Sequence, residues 1–70
     1  MRVLEHISGD SFVIKTNIQD LTHRICTYGE VHSFWKVMSS ITYYKGVFSV
    51  EVLLLADVSK ICSHLNLKLE

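Results

Sequence analysis

The sequence predicts a small α+β fold, a mainly antiparallel four-stranded sheet with helices on one face, built in the order ββα, helix, ββα. Three observations lead there. The two halves align without a gap at an offset of 37 residues, with Gly9 on Gly46, Asp20 on Asp57 and Gly29 on Asn66. Apolar segments of β-favouring residues flank the first and last of the three glycines. No proline or low-complexity stretch divides the chain, so residues 1–70 read as one domain with a pseudo-repeat over 1–29 and 38–66.

Val3, Glu5 and Ile7 alternate with Leu4, His6 and Ser8, and Phe12, Val13 and Ile14 resume after Gly9-Asp10, which predicts a hairpin. Asn17 and Asp20 suit the opening of a helix because their side chains accept from the free amides of its first turn. Ile18, Leu21, Ile25 and Tyr28 then recur at helical spacing, and Gly29 is read as the residue that ends the run. Val31, Phe34, Trp35, Met38 and Ile41 continue the same periodicity and predict a second helix over about residues 30–40. A competing reading makes Ser33 to Tyr44 one long strand, since Phe34, Trp35, Val37, Ile41, Thr42, Tyr43 and Tyr44 all favour sheets.

Lys45-Gly46 reads as a two-residue turn joining a strand near Ile41–Tyr44 to the run Val47–Leu55. In that run Phe48, Val50, Val52 and Leu54 share an apolar face, while the other face begins polar and ends at Leu53 and Leu55, as if its later half were covered. Asp57 opens a final helix that turns Val58, Ile61, Cys62 and Leu65 inward, and Asn66 closes it. Leu69-Glu70 matches what a cloning site leaves behind and carries no weight in the reading.

Composition narrows function. The chain is 49% hydrophobic, more than a body of 70 residues encloses easily, so an apolar surface for self-association or for a protein partner is expected. Seven Lys and Arg balance seven Asp and Glu, interspersed in sign, which argues against a strong nucleic-acid binder. The nucleic-acid alternative requires Arg24, Lys36 and Lys60 to converge in space. Residues 57–67 resemble the first helix and turn of a helix-turn-helix reader, yet only three residues follow, too few for a recognition helix. The longest apolar run is far short of the roughly 20 residues a membrane helix needs. With two cysteines and no secretory signature, a cytoplasmic setting is expected.

His23 and Cys26 share a helix face, and Cys62 and His64 lie in the matching region of the second half. Two thiols and two imidazoles suit tetrahedral zinc in kind, but the spacings reproduce no metal knuckle. The same residues would be the nominees for a thiol nucleophile with its base, and no motif supplies an oxyanion site; the three glycines are isolated, so no phosphate loop exists. The chain is therefore expected to be non-catalytic and to need no cofactor. Trp35, Tyr43, Tyr44, Phe48 and Leu53 are the candidate contact residues, because Trp and Tyr bury much area at little rotamer cost.

Overall fold

The two hairpin turns set the architecture. The computed structural model describes residues 1–70. At Gly9 φ is +51° and at Lys45-Gly46 it is +49° and +81°, left-handed values that glycine adopts freely and that suit tight turns between antiparallel strands. The first turn joins β1 (Arg2–Ser8) to β2 (Ser11–Thr16), with Leu4 opposite Ile14. The second joins β4 (Thr42–Tyr44) to β5 (Val47–Leu54). β2 and β5 pair antiparallel at the centre of the sheet, with Ile14 opposite Val50.

β3 (Trp35–Val37) also pairs with β5, and β6 (Lys68–Leu69) runs parallel to β1 at the opposite edge, so the strand order is β3-β5-β2-β1-β6 with β4 beside β5. α1 (Gln19–Val31) and α2 (Val58–Leu65) each follow a hairpin. The pairing registers place Leu4, Phe12, Ile14, Val50, Val52, Leu54 and Trp35 on one face. They join Ile25 and Cys26 of α1 and Ile61 of α2 in a single core, so both helices cover that face. Glu5, Val13, Lys15, Lys36, Glu51 and Leu53 alternate onto the other face, where no helix lies.

The α+β class is what the chain adopts, with two helices and a mixed sheet of six strands where four were expected. The helix expected over residues 30–40 does not form. α1 runs through Gly29 to Val31, Ser33 turns the chain at φ +59°, and Trp35 enters a strand. The competing long-strand reading describes this stretch better. β3 and β4 lie along the same side of β5, and between the pairs Val37–Val52 and Thr42–Ser49 the four residues 38–41 stand against Val50 and Glu51. Two extra residues make a bulge that splits one edge strand into two short pieces. The Met38 amide donates to the Glu51 carbonyl at 2.8 Å and the Glu51 amide to Ser39 Oγ at 3.0 Å, so the bulge stays tied to the sheet.

Capping differs between the helices. Asp57 Oδ1 accepts from the Ser59 and Lys60 amides at 2.9 and 3.3 Å, and Asn66 closes α2 in the left-handed conformation. α1 has no side-chain cap from Asn17 or Asp20: its N-cap position is Ile18, and Asn17 Oδ1 instead accepts from the chain's N-terminal ammonium. The start of α1 is held from inside. The buried Thr16 and Thr22 hydroxyls lie 2.6 Å apart and share the Ile18 carbonyl at 2.9 and 3.0 Å. At the far edge Lys68–Leu69 pair with Val3–Leu4, and the Glu70 amide donates to the Leu4 carbonyl at 2.9 Å.

Candidate functional site

A strand's side chains alternate between faces, so adjacent tyrosines on β4 point opposite ways. Tyr43, paired with Phe48, lies on the helix side with the two rings 4.7 Å apart and tilted by 44°, and Tyr44 projects to the open side with the Lys45 ammonium 5.3 Å from its ring centre. Both are left in water, Tyr43 at 64% and Tyr44 at 72% exposure, and Met38 in the adjoining bulge is exposed as well. β4 pairs only with β5, so its outer backbone edge is unpaired. Beside Tyr44 a groove of about 390 Å³ runs over the open face between Val3, Val47, Lys15 and Ser49. Lys15 Nζ is ion-paired with Glu5 there, and that hydrogen bond pushes its pKa up.

The other expected contact residues separate from this pair. Trp35 is 1% exposed and belongs to the core; the expectation that it would face a partner is corrected, because its indole is enclosed under α1 and its Nε1–H donates to the Cys26 carbonyl at 3.3 Å. Phe48 is half-buried beneath Tyr43. Leu53 is half-buried on the open face, opposite Ser11, and Leu55 beyond it is exposed, so no helix covers the later half of that face.

The basic candidates do not converge. Arg24 and Lys60 are exposed on α1 and α2, whereas Lys36, between the inward-facing Trp35 and Val37, projects from the opposite face of the sheet. Of the sulfur and imidazole candidates, Cys26 is buried and Cys62 half-buried, both as free thiols, and His23 and His64 are exposed. No three His, Cys, Asp or Glu side chains come together in a metal-binding arrangement. Burial, with the charge of Glu30 adding to it, pushes the Cys26 thiol up to about 11, and burial raises Cys62 too, so both stay protonated near neutral pH.

One cluster has no counterpart in the sequence reading. Tyr28 stacks on His32 at 3.9 Å, Phe34 meets His64 edge-on at 5.4 Å, and the four rings join the C-terminal ends of α1 and α2. His32 Nδ1 donates to the Tyr28 carbonyl at 2.9 Å. Arg24, Tyr28 and His32 recur every four residues, a helix stripe that the apolar spacing of Ile18, Leu21, Ile25 and Tyr28 does not reveal.

The fold and site define a small α+β domain with an aromatic sheet edge, in which no helix is long and apolar enough to cross a membrane. No protein-family model, no curated protein and no solved structure matches the chain.

Proposed function

We propose that this is a small non-catalytic protein-binding module, a regulator or inhibitor that associates through the split edge strand formed by β3 and β4, with a second copy of itself as one occupant. The observation that carries the reading is the pair Tyr43–Tyr44, two large rings in water on a strand whose outer hydrogen-bonding edge is open. An open edge accepts another extended strand by main-chain hydrogen bonds, and neighbouring side chains supply specificity. Tyrosines on both faces of such an edge grip an added strand from above and below, the kind of contact that dominates binding energies. The free thiols of Cys26 and Cys62 support a reducing, cytoplasmic setting.

The test is molar mass in solution over a wide range of protein concentration. The wild-type chain is expected to shift from one chain toward two as concentration rises, with no effect of added salt, and the Tyr43→Ser/Tyr44→Ser variant is expected to remain a single chain. A mass independent of concentration, identical for both proteins, sinks the self-association reading.

A further inference from the structure

Tyr28 stands on a ridge of α1 between two grooves, and Arg24, one turn earlier, lines both. The first groove, of about 420 Å³, adds His23, Thr27, Val31 and His32. The second, of about 400 Å³, adds Arg2 from β1, His64 and Leu65 from α2, and Leu21 and Ile25. No carboxylate lines either groove, although the chain holds seven Asp and Glu and has no net charge. Neither arginine has a salt-bridge partner, since the one ion pair of the molecule is Lys15–Glu5. Asp20, a turn before Arg24, lines neither groove, and Glu30 lies toward the other side of α1, beside Cys26.

From this placement we infer that the Arg24–Tyr28 ridge receives an acidic, amphipathic segment of a partner protein, with carboxylates on the two arginines and apolar side chains against Tyr28, Val31 and Leu65. Charge complementarity picks the occupant. Two unpaired guanidiniums surrounded by apolar lining suit an acidic peptide with an apolar stripe. They are too few for nucleic acid, whose affinity grows with each phosphate neutralised. His32 and His64 sit at the C-terminal ends of α1 and α2, and His23 faces the first groove beside Arg24.

The inference does not depend on the tyrosine edge, and the experiment keeps the two apart. The ¹⁵N-labelled full chain is titrated with a capped peptide of alternating Glu-Glu and Leu-Leu pairs, with its Lys-for-Glu counterpart, and with a single-stranded oligonucleotide. Expected are shifts centred on Arg24, Thr27, Tyr28 and His64, and a loss of about tenfold or more in Arg24→Glu. Arg24→Gln, with an unchanged amide spectrum, is expected to lose a smaller share, and Tyr43→Ser/Tyr44→Ser none. Equal binding of the lysine peptide, shifts confined to β4, or stronger binding of the oligonucleotide overturns the inference.

Discussion

The indole of Trp35 occupies the space that a β-carbon of residue 29 would fill. A Cβ built on Gly29 would overlap Cε2, Cζ2 and Nε1 of that ring. This closeness lets a thirteen-residue helix lie directly over an edge strand, and it makes the absence of a side chain at Gly29 a packing requirement, since Gly29 sits inside α1 and has no positive φ.

Gly29→Ala is accordingly expected to destabilise the fold. In an ordinary helix interior the change gains about 1 kcal/mol, whereas forcing extra volume into a packed core costs about 1–3 kcal/mol. The ring is 1% exposed and cannot move outward without opening the core, so the cost wins. Urea denaturation followed by Trp35 fluorescence checks it; a midpoint above that of the wild type would show that the indole yields freely.

The two helix starts are expected to respond unequally to loss of a polar side chain. Asp57→Ala removes an acceptor of two amides and should cost about 1 kcal/mol. Asn17→Ala removes only an exposed contact to the N-terminal ammonium and should change stability by less than about 0.5 kcal/mol. Comparable losses in the two variants, measured by chemical denaturation, would mean that Asn17 caps α1 after all.

Alkali is expected to weaken the fold through Cys26. Burial holds its thiol proton to about pH 11 in the folded chain, against an ordinary value of 9.0. The folded state thus binds more protons than the unfolded chain between these values, and stability falls with rising pH across that window. Cys26→Ala should flatten this part of the stability–pH curve, measured by denaturation at stepped pH, while a curve as steep as the wild type's would place the loss elsewhere. Near neutral pH a thiol reagent is expected to label the half-buried Cys62 before the buried Cys26.

Local chemistry was legible where one or two residues decide it. Gly9 and Lys45-Gly46 marked real turns, Asp57 and Asn66 marked the two ends of α2, and the alternation of Phe48, Val50, Val52 and Leu54 marked the inward face of β5. The candidate site was legible in part. Tyr43 and Tyr44 are both exposed, on opposite faces of β4, whereas Trp35, of the same chemical kind, is core, because exposure depends on what the rest of the chain lays over a residue.

The amino-acid order alone determined the class, the turns and the capped helix, since φ preferences, hydrogen-bonding side chains and period-two alternation act within a few residues of each other. Tertiary structure alone decided the stretch from Val31 to Tyr44. Its apolar residues fit a helical period and a strand period alike, and the choice fell to β5, which offers that segment an open edge, and to Gly29, which offers Trp35 a place to pack. Such contacts join residues far apart in the chain, so no local propensity records them.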